Sequence, residues 1–307
     1  MDVVAEVLEV SGVTGTIGAR IEAGGTWALL NDDYPGAALH AITAGSAWLT
    51  RSGHEPLELL AGDVVLLAAG IPHTLGDDPR SLPVVCDPVA LAEARRTGAA
   101  IRLGDGVPRT RAVTIQYDCD HTARTQLLFT LPELIHVRAD AGAAGFDDTV
   151  RMLGRELADP QIASTAVLNS LVDVVMIQLL RAWLSTRPAE QRGTWLGMLD
   201  DPIVRRALEH LHADPARPWT TASLATAIAV SRATLSRRFP AAVGQSPGAY
   251  LTQWRMDLAA ARLRRTRQSV ESIAAAVGYQ SVPAFSRAFT RSHGAAPGRY
   301  RSSATER

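Results

Sequence analysis

Two sets of arginine and serine side chains, fifty residues apart, form the most regular arrangement of hydrogen-bond donors in the chain. The first set is Arg232, Ser236 and Arg237, and the second is Ser286 and Arg287. A guanidinium donates through a planar fork that fits a phosphate or the O6 and N7 edge of guanine, and a hydroxyl can donate or accept beside it. These residue types at a repeated spacing predict contacts with nucleic acid.

His40 and His73 are candidates for metal chemistry, because imidazole is a good ligand for divalent ions. The two residues after His40 are alanine and isoleucine, and no glutamate lies at a matching short distance. One or two ligands would leave a weak site. The sequence therefore favours two polar groups that are hydrogen-bonded inside a folded domain. It predicts no metal, no cofactor and no catalytic residue.

The two cysteines, Cys86 and Cys119, leave three interpretations open. Both can be buried thiols that pack as small apolar groups, which the sequence favours. They can form a redox pair, although the aspartates beside Cys119 would raise the pKa of its thiol and slow oxidation, an effect that His121 opposes. Together with His121 and a further histidine they can also hold zinc. Two cysteines do not make the disulfide framework of a secreted protein, so we expect a cytoplasmic protein.

The repeated donors belong to two copies of one supersecondary unit. Residues 231–250 align with residues 281–300, with serine, phenylalanine, glycine, proline and tyrosine at matching places. In each copy a serine is placed to cap a helix, and apolar residues four positions apart give that helix a buried side. This is the pattern of a helix-turn-helix, whose second helix enters the major groove. The outward positions of the two second helices, which are the predicted DNA contacts, are Arg232, Ala233, Ser236, Arg237, Val282, Pro283, Ala284, Ser286 and Arg287.

Three further expectations concern the helices around these units. Apolar residues at helical spacing fit a helix over residues 247–265, which lies between the two units and is called the bridging helix below. Pro240 lies inside the first of the two DNA-facing helices, where its ring removes a donor. We therefore expect that helix to end or kink near Phe239 and its counterpart in the second copy to run longer. Arg264, at the end of the bridging helix, is expected to meet phosphate or solvent.

The net charge of the 307 residues is zero, but the charge is unevenly distributed. Residues 200–307 hold 16 arginines against 7 acidic residues, whereas residues 1–199 hold 15 against 24. A basic C-terminal part beside an acidic remainder fits a nucleic-acid-binding end. The most apolar run, residues 167–180, is short and has three polar interruptions, so no membrane partner is predicted.

The N-terminal half has the pattern of many short strands. Between residues 27 and 87, short apolar runs alternate with glycine and proline turns, which predicts an antiparallel barrel or sandwich. Helices are predicted over residues 146–157 and 164–185, the second with a broad apolar stripe. A segment with proline and glycine, residues 186–197, reads as a linker to the C-terminal domain.

The C-terminal motifs resemble the double helix-turn-helix domain of AraC/XylS-type transcription regulators. The motifs are Ile273-Ala274, Val277-Gly278-Tyr279, Ser281, Phe285-Ser286-Arg287-Ala288-Phe289, Gly294, Pro297 and Tyr300-Arg301. The N-terminal blocks at residues 39–45, 60–67 and 70–73 resemble a cupin jelly roll, in the order found in regulators of this family with a cupin-like sensor. The resemblance covers nearly the whole chain.

The resemblance implies an α+β protein with two domains. Residues 1–190 would form a cupin-like β-barrel or jelly roll with flanking helices, for sensing and dimerisation. Residues 200–307 would form an all-α double helix-turn-helix domain that binds DNA. The apolar stripe of residues 164–185 either pairs subunits, as in the family, or packs only on its own barrel.

The implied function is sequence-specific transcription regulation, with activation as the habit of the family. The implied partners are double-stranded promoter DNA, RNA polymerase, a second copy of the chain, and a small-molecule effector or redox signal. His40, His73, Cys86 and Cys119 are the candidate sensor residues. The alternative is a metal-dependent cupin enzyme fused to a DNA-binding module. The absence of the His-x-His and glutamate ligands of cupin enzymes argues against it.

Overall fold

The computed structural model describes residues 3–32, 36–85, 88–118, 131–139, 146–186 and 196–305. In chain order its elements are α1 Val3–Val10, β1 Thr14–Ala23, β2 Ala28–Asn31, β3 Ala37–Ala44, β4 Ser46–Thr50, β5 Leu57–Leu60, β6 Val64–Leu67, β7 His73–Gly76, β8 Val84–Val85, α2 Pro88–Thr97, β9 Ala100–Leu103, β10 Thr110–Asp118, β11 Leu134–Val137, α3 Phe146–Ala158, α4 Ser164–Thr186, a 3-10 helix Leu196–Asp200, α5 Pro202–Ala213, α6 Thr221–Ala227, α7 Arg232–Val243, α8 Pro247–Arg265, α9 Val270–Ala276, α10 Val282–His293 and α11 Pro297–Thr305.

The described residues fall into two compact units. The β unit contains all the strands together with α2, α3 and α4. The helical unit contains α1 and everything from the 3-10 helix onward. This arrangement confirms the α+β class.

Two sheets form the β unit. Six strands pair in the order β11-β6-β3-β10-β1-β9, and five pair in the order β5-β4-β7-β2-β8. Most neighbours are antiparallel, while β9 runs parallel to β1 and β8 runs parallel to β2. Ile21, Ile42 and Leu67 from the first sheet meet Leu49 and Leu75 from the second in one fully buried core. The short apolar runs of the sequence therefore form the predicted sandwich, because each strand turns one apolar face inward.

α3 and α4 begin at the predicted residues and each ends one residue beyond the prediction. The apolar stripe of α4 packs on the β unit itself. The Tyr117 hydroxyl donates to the Val172 carbonyl at 2.7 Å, and a Cβ on Gly15 would lie 2.2 Å from Val172 Cγ1, so β1 needs glycine there. Residues Ser164–Leu184 are long and apolar enough to cross a membrane by composition. Their buried side faces β1 and β11 instead, whereas Val174 is exposed.

The helical unit is organised around α8. Its bounds match the predicted bridging helix, and it contacts α1, α9, α10 and α11. Ser246 caps its first turn and Pro247 follows at the first helical position, where a missing N–H is harmless. α1 joins this unit through Val3, Val7 and Val10, which share one helical face and are each at most 5% exposed.

The expectation that α7 ends near Phe239 and that α10 runs longer is wrong, while the expected kink stays a prediction. α7 continues through Pro240 to Val243, and both α7 and α10 span 12 residues. The ring removes only the bond to the carbonyl four residues earlier. Phe239 is fully buried beside it, and Gly244, at φ 75°, donates its N–H to the Pro240 carbonyl at 2.9 Å, so packing and the C-cap hold the last turn.

Candidate nucleic-acid interface

α7 is oriented by its cap and by its buried side. The hydroxyl of Ser231 accepts from the Thr234 N–H at 3.0 Å, which satisfies one of the free amides at the helix start. Leu235 and Phe239 are fully buried. These contacts leave the opposite face of α7 to solvent.

α10 repeats this geometry. The hydroxyl of Ser281 accepts from the Ala284 N–H at 3.4 Å, and Pro283 lies in the first turn. Phe285 and Phe289 are fully buried and lie against each other with ring centroids 5.7 Å apart. Both second helices therefore have the orientation that the sequence predicts.

The nine predicted contact residues lie on these outward faces. Arg232, Ala233, Ser236, Arg237, Pro283 and Arg287 are exposed, and Val282, Ala284 and Ser286 are half-buried. On α10, Ser286 and Arg287 also line an open hollow of about 420 Å³ with Thr290 and Arg291. Sequence reasoning missed the last two. They follow Ser286 and Arg287 by four residues, so helical periodicity could have found them.

Buried polar contacts hold α10 against α8. Asp257 is fully buried, accepts from the Gln253 side-chain N–H at 2.8 Å and lies 3.6 Å from the His293 Nε2. The His293 ring stacks on Phe289 at 4.5 Å between centroids. A buried polar group needs partners, so this cluster allows few relative positions of the two helices.

His40 and His73 meet inside the β unit, where burial is almost complete. His73 Nδ1 lies 2.8 Å from the Ile71 carbonyl, which can only accept, so Nδ1 carries the proton. His73 Nε2 therefore accepts from His40 Nε2 at 2.7 Å, and His40 Nδ1 accepts from the Thr114 hydroxyl at 3.0 Å. Burial is the main cause that lowers the pKa of both imidazoles, so both are neutral. The expectation of hydrogen-bonded polar groups inside the domain is confirmed.

Comparison with known proteins decides the family. A cupin family model matches residues 2–185, and a helix-turn-helix domain model matches residues 224–303. An AraC-like transcription regulator of Streptomyces lividans is 38% identical over 306 residues, with 98% of each chain covered. The regulator MtrA of Neisseria gonorrhoeae is 28% identical, again with 98% of each chain covered. The chain belongs to the family of AraC-like transcription regulators.

Among solved structures, the C-terminal domain of AraT, a response regulator from Geobacillus stearothermophilus, is 36% identical. The match covers 34% of this chain and 86% of that chain, with a TM-score of 0.33. ToxT of Vibrio cholerae is 15% identical over 94% of both chains, with a TM-score of 0.37.

These relatives are named as transcription regulators, so they give no support to the enzyme alternative. The histidine pair of the regulator also does not fit a metal centre. The two Nε2 atoms are hydrogen-bonded to each other, and in the described part of the chain no group of three or more histidine, cysteine or carboxylate residues could hold an ion. Cys86 and Cys119 lie outside the described residues, so their three interpretations stay predictions.

Sequence reasoning missed a second buried histidine of the regulator, His212, and the side chains around it. The His212 ring stacks on Trp254 at 3.9 Å, its Nε2 lies 2.8 Å from the Tyr250 hydroxyl, and its Nδ1 lies 3.0 Å from Glu6. Burial lowers the pKa of His212 to about 3 despite the carboxylate. No local signal indicates this cluster, because Glu6 is 206 residues away in the chain.

The expectation for Arg264 is wrong. Its guanidinium donates to the Tyr300 hydroxyl at 2.6 Å and to the Val10 carbonyl at 3.2 Å. The next residue, Arg265, is paired with Glu9 at 2.9 Å. Both arginines thus join α8 to other helices of the unit, and the Arg264 side chain has a structural role.

Proposed function

We propose that α7 and α10 of this regulator enter successive major grooves of promoter DNA and that the nine outward residues contact it. The observation that carries the proposal is that α7 and α10 are both capped by serine and both expose donors on the side opposite their buried residues. α8 has 19 residues and is therefore about 28 Å long. One turn of B-DNA is about 34 Å, so a bridge of this length suits two neighbouring grooves on one side of the duplex.

The two helices offer different chemistry to the bases. α7 begins with Arg232, and Ser236 and Arg237 follow one turn later, so its face is rich in donors. α10 begins with Val282, Pro283 and Ala284, which have no polar side-chain atoms. Apolar groups at the start of a helix in the major groove suit the methyl group of thymine, while arginine suits guanine. We infer that the α10 half-site is richer in thymine at the positions next to the helix start.

Arg287 is the decisive residue, because it is exposed on α10 at the place that Arg237 occupies on α7. The target site is first selected from random duplex DNA with the full-length protein. Arg287→Ala should then cost about 1–3 kcal/mol on the selected site and relax the preference at one base pair. The matched control is Arg205→Ala, which removes an exposed arginine from α5 instead.

Repeating the selection with each variant separates base reading from phosphate binding. A loss that is equal on every sequence, with an unchanged selected motif, would show that Arg287 binds only phosphate. An Arg205→Ala variant that shifts the motif at the same base pair would contradict the assignment to α10.

We also propose the domain division at residues 1–190 and 200–307, in which α1 belongs to the first part of the chain but packs in the helical unit. We further propose a cytoplasmic homodimer that works with RNA polymerase under the control of an effector or redox signal. Family membership supports these points. Sedimentation equilibrium of the full chain tests the dimer, and in vitro transcription with purified polymerase tests the partner. A monomer at micromolar concentration, or no change in transcript from a bound promoter, would reject the respective point.

A further inference from the structure

We propose that a cavity on the outside of the sheets in the β unit, between β1, α2 and the start of α4, binds a small organic monoanion with an apolar body. The cavity has a volume of about 600 Å³, within the range of small-molecule sites. All of its walls belong to the β unit. The proposal is independent of how α7 and α10 read DNA.

The walls of the cavity combine apolar and polar groups. Ile17, Leu157 and Leu168 contribute apolar side chains from three different elements or their ends. Asn169 contributes a side-chain amide donor, and Thr97 contributes a hydroxyl that already donates its proton to the Glu93 carbonyl at 2.8 Å. The core between the two sheets is filled by apolar side chains, so this cavity is distinct from the interior of the sandwich. Such a lining suits a ligand with an apolar body and a polar end.

The charge of the lining favours an anion. Arg20 is the only ionisable side chain among the residues that line the cavity. Its side chain is 23% exposed, and the guanidinium donates to the Leu157 carbonyl and lies 3.4 Å from Glu22. Glu22 also lies 3.9 Å from Arg102, so two guanidinium groups share one carboxylate. Glu156 accepts from the Ser164 hydroxyl at the wall but does not itself line the cavity, so the Arg20 guanidinium is the charged group that the lining presents to a ligand.

Arg20 also has donor capacity to spare. Its Nε–H is buried and has no hydrogen-bond partner among the described residues. A buried donor without an acceptor is unfavourable, and a carboxylate can accept from two N–H groups of one guanidinium. A carboxylate or a similar anionic head at the Arg20 end of the cavity would satisfy this group.

The test uses the full-length protein, with octanoate and 1-octanol as probes of equal chain length. Isothermal titration calorimetry gives the affinity for each. Octanoate should bind saturably and more tightly than 1-octanol. Arg20→Gln should weaken octanoate by about tenfold or more and leave 1-octanol nearly unchanged. The matched control is Arg102→Gln, which removes the other partner of Glu22 but does not line the cavity. It should leave both affinities unchanged.

Three results would overturn the proposal: no saturable binding of octanoate, an equal loss for octanoate and 1-octanol in Arg20→Gln, or an equal loss of octanoate affinity in the two arginine variants. Ala99→Trp serves if Arg20→Gln does not fold, because Ala99 is exposed and lines the cavity. The indole should block both probes, and unchanged octanoate binding in this variant would place the ligand elsewhere. DNA binding without probe, measured in parallel, reports on the helical unit separately.

Discussion

The buried pair of His40 and His73 predicts that the β unit loses stability in mild acid. In the folded protein the pKa of each imidazole is lower than its ordinary value of 6.5, because of burial. In the unfolded chain both take up a proton near pH 6.5. The unfolded state thus binds more protons below pH 6.5, so the free energy of unfolding decreases as the pH falls through this value and is unaffected above it.

The size of the effect follows from the same pKa difference. At pH 5.5 about nine-tenths of each unfolded imidazole is protonated, so an imidazole that stays neutral in the fold loses about 1.4 kcal/mol of stability, and about 3 kcal/mol is the upper limit for the pair. This is a large fraction of the 5–15 kcal/mol that is typical of a whole domain. Asp63 does not contribute to the loss of stability between pH 7.5 and pH 5.5. Hydrogen bonding to His136 lowers its pKa from 3.8 against the effect of burial, and its stabilising contribution is lost only at lower pH.

Amide hydrogen exchange gives a local measurement in the full-length protein. Between pH 7.5 and 5.5, the opening equilibrium of peptides in β3 and β7 should rise, by up to about a hundredfold, after correction for the intrinsic exchange rate. His40→Gln keeps a side chain that can donate to His73, and it should roughly halve the change in free energy. His54→Gln, at a half-exposed position, is the control and should behave as the natural protein.

Two outcomes would refute this reasoning. The first is an opening equilibrium in β3 and β7 that does not change between the two pH values. The second is an equal effect of the His40 and His54 substitutions, which would show that the pH dependence arises elsewhere.

Three further predictions concern the helical unit. Ala229 and Gly278 hold the same place in the two turns at φ 55° and 85°. Ala229→Gly should change stability by no more than about 1 kcal/mol, since relief of strain offsets glycine entropy. Gly278→Ala should cost at least about 2 kcal/mol in urea denaturation, because its Cβ would lie 2.6 Å from the Ala216 carbonyl oxygen. Equal losses of stability in Ala229→Gly and Gly278→Ala would contradict this difference between the two turns. Ser231→Ala should cost about 1 kcal/mol through loss of the α7 cap, and an unchanged thermal midpoint would reject it. Val7→Asp buries a carboxylate at a fully buried position, so exchange in α5 and α8 should become faster while β-unit peptides stay unchanged.

Local signals were sufficient to predict from the sequence where α7 and α10 begin and which of their sides is buried. Ser231 and Ser281 are caps, and their helices follow the apolar spacing that the sequence shows. α8 has the predicted bounds because its proline at the start and its run of apolar residues act within a few turns. Such features depend on residues close in sequence, which is why one chain is enough to predict them.

Pro240 shows where a local rule fails. The rule states correctly that the ring removes a hydrogen bond. It does not include the burial of Phe239 or the C-cap at Gly244, both of which stabilise the same turn. Tertiary packing therefore decided the end of α7.

α1 could not be assigned from sequence for a related reason. Its valine-rich sequence, Val3–Val10, is compatible with a strand or a helix, because β-branched residues favour strands while the spacing of Val3, Val7 and Val10 fits a helix. The helices that receive this face, α5 and α8, begin about two hundred residues later. Only the folded chain brings the two together.

The number of arginines in the C-terminal part overstates the charge that is free to bind phosphate. Sixteen arginines in residues 200–307 predict more phosphate contacts than the folded unit offers. Several arginines have partners inside the unit, among them Arg206 with the Pro202 carbonyl, Arg238 with Asp201, Arg255 with the carbonyls of residues 215–217, Arg264 with Tyr300 and Val10, Arg265 with Glu9, and Arg301 with the Gln268 carbonyl. An internal acceptor competes with phosphate for the same N–H groups, so these side chains release fewer counterions when DNA binds. The sequence locates the positive half of the protein, but the internal contacts occupy part of that charge, whereas Arg232, Arg237 and Arg287 remain exposed on α7 and α10.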